Sequence, residues 1–218
     1  MRPTDHLQSL VAEDWHAATH HRFTGDLVAG RLTEARMLAY LRQDHLFLGG
    51  FVRLLASAIA HAPTLPDAIP AAQFLALVTG PENTYFERAI TALGGTVTPP
   101  APAHPVTADF QALMAEATGS GSYPRMLAVL VVAEWCYLDW AHPHEDKARD
   151  LPFWAGEWIT LHSGAGFEGV VAYLRDQLDR TWPKIGPQEQ AETAAIFARA
   201  TRLERAFFAA ALADFATA

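Results

Sequence analysis

The run Met126-Leu127-Ala128-Val129-Leu130-Val131-Val132-Ala133 is apolar at every position and leads straight into Glu134. A helix that is apolar all round belongs in a protein interior. Whatever fold the chain adopts must bury this segment, and Glu134 is carried inward with it. An ionised carboxylate is costly to bury unless it is paired or hydrogen-bonded. The acid must therefore find a partner, take up a proton or do chemistry. At helical spacing Glu134 shares a face with Tyr137, Leu138 and Ala141. Taken by itself, the stretch fits a structural acid bonded to another helix better than a pocket wall.

The rest of the chain reads as helix almost throughout. Thr4 is placed to cap a first helix that carries Leu7, Leu10, Val11, Trp15 and Ala18, with Gly30 closing the following apolar stretch. Thr33 caps a second, which runs past Met37, Tyr40, Asp44, Phe47 and Leu55 and stops before Pro63. Residues 65–70 read as a turn and 71–78 as a third helix. Pro81 opens a fourth, which Gly94-Gly95 ends. Residues 98–105 form a proline-rich connector, and Thr107 caps a fifth helix ending near Gly119. Ser122 caps the sixth, which carries Glu134 and ends near Ala141. A charged loop at 143–152 precedes a helical region over 153–182, interrupted at Gly164 or Gly166, and Pro187 opens the last helix. No strand candidate stands out, so the fold class is all-α, a helical bundle. The connector is short and neither flank reads as a complete core, so residues 1–218 are expected to form a single domain.

Half of the residues are hydrophobic and only 18% are charged, which supplies a large core and excludes disorder. A net charge of -8 argues against a nucleic-acid partner and against docking on an anionic membrane surface. The single cysteine, Cys136, excludes an intrachain disulfide and a multi-thiolate zinc site. It fits a reducing compartment. The N-terminus has no apolar signal core, and a soluble, cytoplasmic protein is expected.

Three acids sit inside apolar helical stretches: Asp44, Glu134 and Glu204. Each alone reads as structural, but three on different helices point to a shared polar pocket. Carboxyl groups brought close titrate apart, so one can donate a proton while another accepts. Glu13-x-x-His16 and Asp139-x-x-His142 have the spacing of helical metal ligands, although the second falls at a helix end near Pro143. His16 or His20 also fits a haem ligand, with Gly164-x-Gly166-x-x-Gly169 opposite. A polar helix face explains the same histidines. Cys136 lies two residues from Glu134 and so points elsewhere, as a small buried hydrophobe. There is no phosphate-binding loop and no Gly-x-Ser-x-Gly elbow.

The chain resembles the TenA/thiaminase II family over most of its length. The resemblance rests on Trp15-His16 through Phe23, Gly30-Arg31-Leu32 and Tyr40-Leu41-Arg42-Gln43-Asp44, then Ala133-Glu134 to Trp140, Glu157-Trp158 to Ser163, and Leu203-Glu204 to Phe208. It implies an all-helical, haem-oxygenase-like fold without haem. It also implies thiamin salvage by hydrolysis of aminopyrimidine breakdown products to hydroxymethylpyrimidine. Asp44 falls on the family's pyrimidine-binding aspartate and Glu204 on its catalytic glutamate. Where one branch carries a proline and a nucleophilic cysteine, this chain has Ala133-Glu134, which is similar to the cysteine-lacking TenA_E branch. Phe47 and His162 stand where the cysteine branch has tyrosines. Aminopyrimidine or formylaminopyrimidine hydrolysis is then favoured over thiamin cleavage. Glu134 and Glu204 are the expected catalytic pair. Asp44, Phe47, Tyr137, Trp158, His162 and Phe207 are the expected substrate contacts. No cofactor and no metal is required, and a dimer or tetramer is expected. Two other readings stay open: a pyrimidine-binding or regulatory protein without turnover, and a metal-dependent oxidase on the same scaffold.

Overall fold

A computed structural model of the chain describes residues 1–213 and 215. The described residues contain no β-strand. The helices are α1 (Pro3–Ser9), α2 (Ala12–Thr19), α3 (Arg22–Val28), α4 (Glu34–His61), α5 (Leu65–Leu77), α6 (Asn83–Ala92), α7 (Pro105–Gly119), α8 (Tyr123–Ala141), α9 (Phe153–Leu161), α10 (Gly164–Thr181) and α11 (Pro187–Ala213). A π-turn, Val78–Glu82, joins α5 to α6, and a 3-10 helix, His142–Asp150, joins α8 to α9. No helix among the described residues is long and apolar enough to cross a membrane.

Helix α8 is the axis of the bundle. Every residue from Met126 to Tyr137 is buried, because α8 packs against α11, α10, α4, α7 and α2 around its circumference. The apolar run thus meets neighbours on all sides, as its composition demands. Helix α4 lies along α7, and α11 crosses both α8 and α2. The two long helices α4 and α11 therefore flank α8 and bring their inward faces toward Glu134.

Local signals set most boundaries. Thr33 Oγ1 accepts the Arg36 N–H and Ser122 Oγ accepts the Arg125 N–H, each at 3.4 Å. Both satisfy an orphan donor in a first turn. Gly30 takes a φ of +65°, which glycine adopts without a Cβ clash.

Several expectations are corrected. Thr4 does not cap α1, since Arg2 holds that position and Thr4 is buried inside the helix, its N–H donating to Asp179 Oδ1 at 2.7 Å. The first expected helix is broken at Leu10 and Val11, where Leu10 turns out to solvent. Residues 65–70 belong to α5: Thr64 caps it through the Asp67 N–H, and Pro66 occupies the first turn, where its missing donor costs nothing. Pro81 lies within the π-turn and does not open α6. Thr107 is not a cap either. Helix α7 starts at Pro105 behind His104, and the buried Thr107 hydroxyl donates to Gln43 Oε1 at 2.8 Å. Residues expected as a charged loop after α8 are mostly 3-10 helical.

Candidate active site

Four helices each contribute a pair of side chains about one turn apart to a single cavity. Asp44 and Phe47 come from α4, Glu134 and Tyr137 from α8, and Glu204 and Phe207 from α11. Trp158 comes from α9, and His162 stands at its end. Spacings of three or four residues put the two members of a pair on one helix face. All eight residues expected at the site therefore line one space, with about 470 Å³ not occupied by atoms when the open solvent at its mouth is included. Leu48, Phe51, Glu82, Phe86, Phe110 and Ala133 complete its wall.

The walls are aromatic and mutually braced. The Phe47 ring meets Phe110 edge-on at 4.9 Å between centroids, and Trp158 stacks on Tyr85 at 5.2 Å. His162 lies 4.2 Å from Trp158 and 4.6 Å from Tyr137. Its Nδ1 lies 2.8 Å from the Trp158 carbonyl oxygen, so the ring donates from that nitrogen. Burial pushes the His162 pKa down to about 4, so the ring is neutral near pH 7 and its Nε2 is an acceptor. The Tyr40 and Tyr137 hydroxyls hydrogen-bond to each other at 2.7 Å behind the acids.

The carboxyl groups share one electrostatic problem. Asp44, Glu134 and Glu204 are 6%, 9% and 2% exposed. Burial raises the Asp44 pKa to about 7 against the opposing influence of the Tyr40 hydroxyl. It raises Glu134 well above the carboxylate range, with the nearby acids Glu82, Glu204 and Asp44 adding to the shift. Glu204 is raised in the same way, by burial first and Asp44 second. No hydrogen bond opposes the shift at Glu134 or Glu204. This departs from the structural acid that the Glu134 stretch suggested in isolation, which would be bonded to another helix. Asp44 Oδ2 and Trp158 Nε1 are buried without a partner among the described residues. Buried polar atoms are rarely left so, and a polar ligand would satisfy them. No lysine or arginine lines the cavity. Proton-bearing and proton-accepting carboxyls thus coexist near neutral pH beside aromatic faces, the equipment of general acid–base chemistry.

Sequence reasoning missed Glu82. A signal existed, because Tyr85 and Phe86 follow at helical spacing and both are buried. The π-turn just before α6 hid it. Cys136 is fully buried and absent from the cavity wall, on a different face of α8 from Glu134. Burial, Glu204 and Asp139 hold its thiol well above the usual range. The pairs with metal-ligand spacing are engaged otherwise where the structure gives them partners. Asp139 accepts the Trp15 indole N–H at 2.9 Å, and His142 Nδ1 lies 3.1 Å from Glu168. No group of three or more metal-ligating side chains occurs among the described residues.

The chain has relatives among known proteins. An aminopyrimidine aminohydrolase from Halalkalibacterium halodurans is 24% identical over 198 residues, covering 89% of this chain and 88% of the relative. The TenA homologue from P. horikoshii OT3 superposes with a TM-score of 0.84 at 22% identity, over 97% of this chain and 98% of that one. A TenA family protein from Silicibacter sp. TM1040, described as a transcription regulator, gives 0.87 at 22% identity over 97% of both chains. The fold is the haem-oxygenase-like helical bundle of these TenA proteins. The sequence model of the TENA/THI-4/PQQC family matches residues 9–214, and the chain belongs to that family.

Proposed function

We propose that the protein is a hydrolase of thiamin salvage, which converts aminopyrimidine or formylaminopyrimidine breakdown products of thiamin to hydroxymethylpyrimidine. The observation that carries this reading is the cavity itself: four carboxyl groups, aromatic walls, a neutral histidine and, among the described residues, no lysine or arginine. A flat, nitrogen-rich ring with a basic arm complements such a pocket in shape and in charge. The relative from H. halodurans, named an aminopyrimidine aminohydrolase, supports the same substrate class.

In this scheme Asp44 binds the nitrogen edge of the ring, and its unpartnered oxygen is the acceptor used. Phe47, Trp158 and Phe207 hold the ring faces. Tyr137 and His162 add one buried hydroxyl and one acceptor nitrogen. Glu134 takes a proton from water as the new C–O bond forms at the carbon carrying nitrogen. The C–N bond breaks, and Glu204 delivers a proton to the departing amine. Glu134 lies where the cysteine branch has its nucleophile, and a carboxylate is the weaker nucleophile, so the water route is preferred over direct attack. The protein works in the cytoplasm as a single domain that assembles into a dimer or tetramer.

The test is incubation of purified protein with the aminopyrimidine, its formylated form and thiamin, with product detection. Hydroxymethylpyrimidine should form from at least one of the first two, should not form from thiamin, and should still form after exhaustive chelation. Tight pyrimidine binding with no product would establish the binding or regulatory reading, which the name of the Silicibacter neighbour favours. Activity that depends on stoichiometric metal would establish the oxidase reading.

A further inference from the structure

Glu82 has no part in the hydrolysis scheme, yet its carboxyl lines the same cavity as the three other acids. It is the last residue of the π-turn Val78–Glu82, and one helical turn on, Tyr85 and Phe86 are buried. π-turns inside otherwise regular helices recur at functional sites, where the extra residue re-aims a side chain. Asp44, Glu134 and Glu204 are buried, whereas Glu82 is only half-buried. Part of the Glu82 residue is therefore open to solvent, as is part of Phe47 on the same wall. Among the charges acting on Glu134 it comes first. Glu82 thus adds a fourth carboxyl group to a cavity where no lysine or arginine among the described residues balances the acids, and both Asp44 and Glu134 feel its charge or impose theirs on it. Asp44 Oδ2, nine-tenths buried and without a partner, shows independently that the cavity is built for a polar ligand.

We infer that Glu82 is the carboxylate that receives the substrate's aminomethyl group as an ammonium ion, so that the site selects a primary amine over a neutral amide or alcohol on the same ring. This rests on the hydrolase reading and narrows its substrate class to the free amine. Carboxyl groups that share one cavity cannot all ionise at low cost, but an ammonium among them relieves the conflict. Burial, with Asp44 adding to it, raises the free Glu82 pKa to about 8, so capture of the amine drives a proton from these carboxyls into the buffer. The other titratable groups of the cavity are Asp44, Glu134, Tyr137, His162 and Glu204. On α6, Arg88 is engaged with Glu157, and Glu87 accepts the Asn83 amide at 3.1 Å. The Asn83 side-chain oxygen Oδ1 lies 3.2 Å from His45 Nε2 of α4. No basic group on these neighbours is placed on Glu82 by a hydrogen bond or ion pair among the described residues, which leaves the ligand as its counter-ion.

The experiment measures calorimetric affinity for two probes that share the ring: the aminomethyl pyrimidine, with a cationic arm, and hydroxymethylpyrimidine, with a neutral arm. The full-length protein carries Glu204→Gln so that nothing turns over. Wild-type position 82 should prefer the amine. Glu82→Gln should weaken the amine by about tenfold or more, as loss of a desolvated charge partner does, and leave the alcohol within about threefold. Repeating the amine titration in buffers of different ionisation enthalpy should show fewer protons released in Glu82→Gln. Glu82→Asp should keep the preference for the amine, which excludes a mere packing defect, and circular dichroism checks the fold of each variant. Equal loss for both probes, or no loss for either, would overturn the inference. A protein with Glu82 in place that binds neither probe overturns it together with the hydrolase reading. One that binds both but whose wild type makes no product overturns the hydrolase reading alone and leaves the Glu82 comparison standing.

Discussion

Replacing Asp44 by asparagine should change how stability depends on pH more than it changes stability itself. In the folded protein Asp44 titrates near 7, against 3.8 when free. Between these values the folded chain holds a proton that the unfolded chain has lost. The contribution of Asp44 to stability must then fall as pH rises through this window and level off above about pH 8. Each tenfold difference in proton affinity is worth about 1.4 kcal/mol, so full ionisation of Asp44 costs about 4 kcal/mol. Asparagine keeps the shape but does not titrate. Asp44 also pushes up Glu82, Glu134 and Glu204, so its removal relieves them in the same direction. Urea unfolding at several pH values from about 4 to 8 would give the difference between wild type and Asp44→Asn at each pH. That difference should move by about 4 kcal/mol in favour of the variant toward high pH, equivalent to roughly 10 °C in Tm for a chain of this size. Parallel curves, agreeing within about 1 kcal/mol, would mean that Asp44 ionises normally and that the cavity does not oppose its charge.

Further consequences concern the acids and the thiol. Glu134→Gln and Glu204→Gln should each lower hydrolysis about 10²–10⁴-fold with the fold intact, since either removes a positioned acid or base. The double variant should fall far short of the product of the two, as residues acting on one proton path are not additive; near-normal rates in either single variant would strip that residue of its role. Cys136→Ala should retain turnover because the thiol is buried away from the cavity, and loss of turnover in a folded Cys136→Ala protein would show that the nucleophile had been misplaced.

What the sequence discloses, and what it hides, divides along a physical line. The apolar run of α8 turns Glu134 inward on the strength of residue order alone, because all-round apolarity leaves no other place for the segment. Asp44 and Glu204 are legible for the same reason, each lying among large apolar residues at helical spacing. Convergence of the three is not legible from periodicity, since it depends on how α4 and α11 cross α8. The resemblance to a family supplies that step. Boundaries fail where a local signal has two uses. Proline in a first turn marks a helix start, but Pro81 sits in a π-turn and Pro66 and Pro70 sit in α5. Thr4 and Thr107 look like caps and instead commit their hydroxyls to tertiary contacts with Asp179 and Gln43. Glu82 escapes notice because helical spacing alone gives no warning of a wide turn that re-aims a residue.

The electrostatics of the cavity also bear on why an acid stands at position 134. Any anion formed there is opposed by Asp44, Glu82 and Glu204, and the low polarity of the aromatic walls makes each repulsion larger. A thiol in this setting would resist ionisation, as Cys136 does on another face of α8, where burial and Glu204 both raise it. A thiol that does not ionise is a poor nucleophile. For a carboxyl group the same opposition has the reverse value. It raises the proton affinity of Glu134 above that of an ordinary carboxylate, and a stronger base takes a proton from water more readily. The four acids therefore favour activation of water over attack by the side chain itself. They also oppose one another, and a cationic substrate relieves that opposition as it binds. The raised proton affinities of the free protein and the cationic substrate proposed for it trace to the same unbalanced charge.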